Sequence, residues 1–305
     1  MKIGIGSVIV GNPNTTLDDL VAEVKSAEAD GFAFYSLPNI FGLDAISALT
    51  VAGRETQRIE LATGVTPTPP RHPFAIAQQA LTAQAACRGR FVLGIGLSHK
   101  IVIENMLGLS YDKPAKQMRE YLEVLMPLAQ GKPVQFQGEL YRVAAGLQVA
   151  GGTPLPVVVA ALGPKMLEIA GRLADGTATW MTGVRTLADH TVPAITKAAK
   201  EAGRPAPRIV SALPFALTND VGAARDVANK VFAIYGTLPS YRAMLDREGA
   251  ANPADVGIYG DEAALRAGIA RVRDAGVTHF LASVFPAGAD CIERTKAFLK
   301  SELRA

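Results

Sequence analysis

Apolar residues follow two alternating rhythms along this chain. Short runs such as KIGIGSVIV and FVLGIG are continuously or alternately apolar, whereas longer stretches repeat apolar positions three and four apart, as at Leu17, Leu20, Val21 and Val24. The first rhythm predicts strands and the second amphipathic helices. In the opening unit Thr16 stands before acidic residues and Gly31 follows the last periodic position, which are the start and stop signals of a helix. The same unit then recurs. Strands are expected at Ile3–Val10, Phe32–Leu37, Ile59–Val65, Phe91–Ile95, Val157–Ala160, Thr177–Met181, Ile209–Leu217 and His279–Val284. Strands separated by helices imply right-handed parallel βαβ units, and eight of them close into a barrel.

Two longer segments interrupt the alternation. GKPVQFQGELYRVAAGLQVAGGTPLP, before the fifth strand, has short β-prone pieces around a QG turn and is expected to form a hairpin. Between the seventh and eighth strands lie two or three helical stretches, including GTLPSYRAMLDREG. Neither segment reaches ordinary domain size. The expected fold is α/β: a single (β/α)8 TIM barrel over residues 1–305, with insertions after strand 4 and strand 7. The length of 305 residues suits a barrel of about 250 residues plus insertions.

Composition narrows the partners. At 49% hydrophobic and 19% charged residues the chain can bury a large core. A net charge of +3, with both signs interspersed, lacks the basic stripe that nucleic acid requires. No apolar run approaches the roughly 20 residues that span a bilayer. Because the N-terminus passes directly into a strand pattern, without a leader-type apolar stretch, a cytoplasmic location is expected. Cys87 and Cys291 are too few and too far apart for a disulfide framework and read as reduced, buried thiols.

In a parallel barrel, active sites form at the C-terminal ends of the strands. That rule selects Ser7–Asn14, then Pro38, Asn39 and Phe41, then Gly64–His72, then Gly96–Lys100, then Ala161–Lys165, Trp180–Thr182, Pro214, Phe215, Phe285 and Pro286. Of the four histidines, His190 falls inside a helix-like segment and His279 opens a strand, so no metal-ligand set converges with His72 and His99. GIGLSH has no nucleophile-elbow pattern. The selected residues are mostly apolar or glycine, which suits a bound cofactor that carries the chemistry itself. In AALGPKMLEIAGRLADG, Gly163 and Pro164 open a helix whose free amides can face an anion, although an ordinary Pro-initiated helix with Lys165 solvated fits the spacing equally. TGVTPTPPRHP is stiffened by prolines, with Gly64 free to adopt unusual dihedrals, and a flat ring can rest on such a fixed bulge. His99, beside Ser98, is the candidate acid or base. Trp180 can cover a ligand or simply pack.

The runs HPFAIAQQALTAQAACRGRFVLGIGLSHK and AALGPKMLEIAGRLADG, with the strand order around them, resemble the luciferase-like monooxygenase superfamily, specifically its coenzyme F420-dependent oxidoreductase branch. The resemblance implies a cofactor, F420 or alternatively FMN, lying against a strand-three bulge with a non-prolyl cis peptide. Gly64 and Val65 match that bulge, with Thr66, Gly96 and Ser98 around the ring. The cofactor phosphate is implied at Ala161, Leu162 and Gly163, with Lys165 beside them. The glucose-6-phosphate enzymes of the branch place a His after strand two and a Glu after strand four, where this chain has Asn39 and His99. Those two are the catalytic candidates, and the departure argues against glucose 6-phosphate as substrate. The substrate pocket is implied near Phe41, Trp180 and Tyr241, for hydride transfer involving a C=C, C=N or carbonyl group of a small molecule. The alternatives are an FMN monooxygenase and a non-catalytic flavin-binding barrel. Homodimers are common in the family.

Overall fold

A computed structural model describes residues 1–6 and 14–303 of the chain. Eight parallel strands form a closed barrel: β1 (Lys2–Gly6), β2 (Phe34–Leu37), β3 (Glu60–Thr63), β4 (Phe91–Gly96), β5 (Val157–Ala160), β6 (Gly176–Trp180), β7 (Arg208–Leu217) and β8 (His279–Val284). Closure comes from the pairing of β1 with β8 and of β6 with β7. The expected extension of the first strand to Val10, and the candidate residues Ser7–Pro13 after it, lie outside the described residues. Strands β2 and β4 are buried throughout, as parallel strands covered on both faces must be.

Helices α1 (Leu17–Asp30), α2 (Ala45–Glu55), α3 (Pro73–Ala86), α4 (Pro114–Ala129), α5 (Pro164–Leu173) and α6 (Val192–Glu201) follow the first six strands. Their starts are locally encoded. Thr16 and Asp19 form a reciprocal capping box on α1, and Gly31 ends that helix at φ 96°. The Asp44 side chain accepts from Ser47 N at the start of α2, and His72 caps α3 with Pro73 in its first turn.

One end of the barrel is sealed. Glu60 opens β3 and Arg208 opens β7, strands that are not neighbours in the sheet, yet their side chains form a two-pronged pair at 2.6 and 3.0 Å. The pair therefore spans the lumen at the N-terminal end of the strands. His279 lies close by on β8, buried, with its ring edge-on to Phe34. Burial and the nearby charges of Arg208, Lys2 and the amino terminus push its pKa down to about 3, so it is neutral.

Both expected insertions are present. The hairpin pairs Val134–Gln137 with Arg142–Ala145, and its turn amides Glu139, Leu140 and Tyr141 donate to the buried Glu120 carboxylate of α4. The segment between β7 and β8 holds α7 (Val221–Val231), α8 (Pro239–Glu248) and α9 (Glu262–Asp274), together with a short strand, Ile258–Gly260, that the sequence pattern did not predict and that pairs with the end of β7. Phe215 lies inside β7, as the expected strand Ile209–Leu217 already placed it, and is fully buried against Phe280 and Phe298, so it is not a mouth residue. Among the described residues no helix is long and apolar enough to cross a membrane.

Candidate active site

The expected third strand, Ile59–Val65, breaks at Gly64 and resumes as a two-residue strand, Thr66–Pro67, on β4. The Gly64–Val65 peptide is cis. What seats this bulge is the pair of glycines opposite it. A Cβ on Gly94 would lie 2.0 Å from the Thr63 carbonyl oxygen, and one on Gly96 would lie 2.8 Å from Val65 Cγ2. The two positions form a notch that receives Val65, leaving Gly64 as exposed bare backbone. Thr63 Oγ1 donates to Gly94 O at 2.7 Å and accepts from Gly94 N at 2.9 Å, while Thr68 N donates to Gly96 O. Farther along, Arg71 pairs with Asp44 at 2.9 Å and its carbonyl accepts from Tyr121 Oη. The loop is fixed at both ends, as its prolines implied.

Beyond β4, Ser98 takes a left-handed conformation at φ 60°, and its carbonyl accepts from Tyr111 Oη at 3.0 Å. The turn brings His99 to the mouth, where its carbonyl starts a π-helical segment, Ile101–Met106. Burial holds the His99 imidazole below the ordinary histidine range, and no other described residue engages its ring nitrogens. The expected acid or base is therefore a neutral imidazole at neutral pH.

His99 leans on Tyr241 of α8, with ring centroids 5.8 Å apart. From there the rings run Tyr241 to Tyr235 at 4.9 Å, Tyr235 to Trp180 at 5.8 Å, Trp180 to Phe232 at 5.5 Å and Phe232 to Phe285 at 5.6 Å. His99, Trp180 and Tyr241 thus belong to one aromatic wall joining β4, β6, β8 and the late insertion. Burial raises the Tyr241 phenol far above its usual range, so it stays protonated. Tyr235 and Phe232 were missed, because contacts across so many residues leave no local signal. The insertion is held in place by Glu248, whose carboxylate accepts from Arg185 N at 3.1 Å and Thr186 N at 2.6 Å after β6.

At the end of β5, Ala161 is buried and Leu162 and Gly163 are half-buried. Gly163 offers no side chain to cap α5, so the first-turn amides have no acceptor there. His190 Nε2 lies 2.9 Å from the Leu162 carbonyl. Three candidates sit differently from the expectation. Asn39 is half-buried with Oδ1 committed to Ala45 N at 2.9 Å, which fixes the start of α2. Lys165 is exposed and paired with Glu168 at 2.8 Å, turned along the outside of α5. Phe41 is 72% exposed and makes no ring contact with the wall.

The C-terminal mouth thus combines a glycine-notched bulge, a histidine whose ring no described residue engages, and a helix start without a side-chain cap. The chain belongs to the luciferase-like monooxygenase family, whose model matches residues 3–302. It is 32% identical over 267 residues to a 5,10-methylenetetrahydromethanopterin reductase of Archaeoglobus fulgidus, covering 83% of this chain and 75% of that relative. The solved coenzyme F420 dependent tetrahydromethanopterin reductase from Methanopyrus kandleri has the same fold, with a TM-score of 0.82 at 23% identity over 99% of this chain and 97% of that one. An F420-dependent secondary alcohol dehydrogenase, solved with an F420–acetone adduct, has a TM-score of 0.79 at 19% identity, covering 98% and 97%.

Proposed function

We propose that this chain is an oxidoreductase that uses coenzyme F420 to move hydride to or from a C=C, C=N or carbonyl group of a small organic substrate. The observation that carries the reading is the construction of the mouth: bare backbone at Gly64, the notch at Gly94 and Gly96, and His99, whose ring nitrogens no described residue engages. F420-dependent proteins among the neighbours in fold support the choice of carrier. When bound, the deazaflavin supplies a two-electron hydride carrier; everything else falls to the protein.

The residues fit such a group. Gly64, Val65, Thr66 and Gly96 would hold the ring, with Ser98 beside it, and the amides at Ala161, Leu162 and Gly163 would meet the phosphate. His99, neutral at physiological pH, would take a proton from a substrate hydroxyl in oxidation and return it in reduction. Tyr241 and Trp180 would wall the substrate and exclude water, with Phe41 flanking the entrance. Asn39 would act by holding the strand-two loop rather than by touching the reacting atoms. Lys165 would contribute its backbone N–H, since its ammonium is paired with Glu168.

A second reading, an FMN-dependent monooxygenase, is favoured by the description of the family model itself. Anaerobic mixing with reduced F420 and a panel of ketones, imines and enones separates the two. Substrate-dependent appearance of oxidised F420 is the expected result. No oxidation of F420 there, with oxygen-consuming turnover in a parallel aerobic reaction supplied with reduced FMN, would replace the proposal by the second reading.

A further inference from the structure

We propose that His190, which lies outside the mouth, is a positioning residue that sets the loop meeting the cofactor phosphate; this rests on the F420 reading above. Its Nε2 is 2.9 Å from the Leu162 carbonyl oxygen. A carbonyl only accepts, so Nε2 carries the proton and donates. The Leu162–Gly163 peptide is planar and trans, with its C=O and N–H pointing in opposite directions. Tying the carbonyl to His190 therefore aims the Gly163 N–H away from the helix that carries the imidazole. Without that tie the peptide is free to turn its carbonyl, a partial negative charge, toward a bound anion.

Two features make His190 a fixed donor rather than a surface side chain. It lies in a π-helical segment, Leu187–Thr191, between the helical turn Val184–Thr186 and α6. The i→i+5 bonding inserts one residue, which turns the following side chains by about 100° relative to a straight α-helix. The helix is also pressed against α5, since a Cβ on Gly171 would lie 2.6 Å from the Ile195 carbonyl and 2.8 Å from Ala198 Cβ. The imidazole and the loop it holds thus sit on two helices locked together, with the donor supplied by one and the acceptor just before the other.

The test is fluorescence-quenching titration of the unsubstituted protein, His190→Ala and His190→Gln with F420 and with the phosphate-free deazaflavin riboside, alongside thermal melting of each. The alanine variant should bind F420 about tenfold more weakly, roughly the worth of one hydrogen bond. The glutamine variant, which keeps an N–H at similar reach, should recover most of that loss. The phosphate-free riboside should bind all three alike. Should the alanine variant not fold, His190→Asn, too short to reach Leu162, takes its place. Equal F420 affinity in the unsubstituted and alanine proteins, or an equal loss for both ligands, would overturn the role of His190 while leaving the cofactor reading intact. Failure of the unsubstituted protein to bind F420 would overturn both.

Discussion

Gly96→Ala tests the notch that seats the bulge. The new methyl carbon would stand 2.8 Å from Val65 Cγ2 and 3.1 Å from Ala160 Cβ. Apolar carbons rest at about 3.5–4.0 Å, so roughly 1 Å must be found on the Val65 side. Val65 is β-branched and stiff at χ1, so relief requires the bulge itself to move. Overpacking of this kind costs about 1–3 kcal/mol, and displacement of a ligand-bearing surface by ~1 Å can cost about 10²-fold in turnover. Val65→Ala removes the Cγ2 methyl that the new Cβ would meet. Urea denaturation of the unsubstituted protein, the two single variants and the double variant should therefore show the double variant more stable than the sum of the singles by about 1 kcal/mol. Gly94→Ala is the contrasting case. Its Cβ would lie 2.0 Å from the Thr63 carbonyl oxygen, which is backbone, so Val65→Ala should not rescue it. Additivity of Gly96→Ala and Val65→Ala to within about 0.5 kcal/mol would refute the notch argument.

Other perturbations probe the remaining parts. His99→Ala should lower turnover about 10²-fold while leaving F420 affinity almost unchanged; unaltered turnover removes it from the mechanism. Because burial lowers the His99 pKa, kcat/KM for alcohol oxidation, where His99 is the base, should stay flat as pH falls from 8 through the ordinary histidine value near 6.5 and drop only below it, and a loss of that activity centred above 6.5 contradicts this assignment. Glu248→Ala removes the acceptor for Arg185 N and Thr186 N, so stability should fall by about 2 kcal/mol and substrate KM should rise with the loosened insertion; a shift under about 0.5 kcal/mol would show that the insertion is held by other contacts. His279 is neutral in the fold, with its pKa pushed to about 3, so the unfolded chain binds the extra proton between there and 6.5. Stability should decline on acidification by up to ~1.4 kcal/mol per pH unit below 6.5, about 2 kcal/mol by pH 5, and His279→Gln should flatten that slope in denaturation curves at pH 7 and 5.

How much of this was legible beforehand depended on the range of the signal. Strands such as FVLGIG announce themselves because burial on both faces demands unbroken apolar runs, and the α1 start at Thr16 is written in four adjacent residues. The stiffness of the bulge could be read from its prolines. The strand Ile258–Gly260 is too short for any periodicity to register. Lys165 was given to the cofactor although Glu168, three residues on, was a local partner in plain view. Asn39 was expected in a catalytic role, and its bond from Ala45 N, six residues on, has no local sign because the cap signal there belongs to Asp44. His190 was set aside as helix-internal, since α-helical spacing does not foresee a π segment that turns the side chain toward Leu162. The aromatic wall depends on contacts between Trp180 and an insertion more than fifty residues later, which only the closed barrel brings together.

Parallel fluorescence-quenching titrations of the purified protein with F420 and with FMN, under identical conditions, test the cofactor assignment most directly. Micromolar binding of F420 with much weaker binding of FMN is the predicted result. Preference for FMN would contradict the hydride-transfer account in favour of the monooxygenase, and binding of neither would contradict the cofactor site itself.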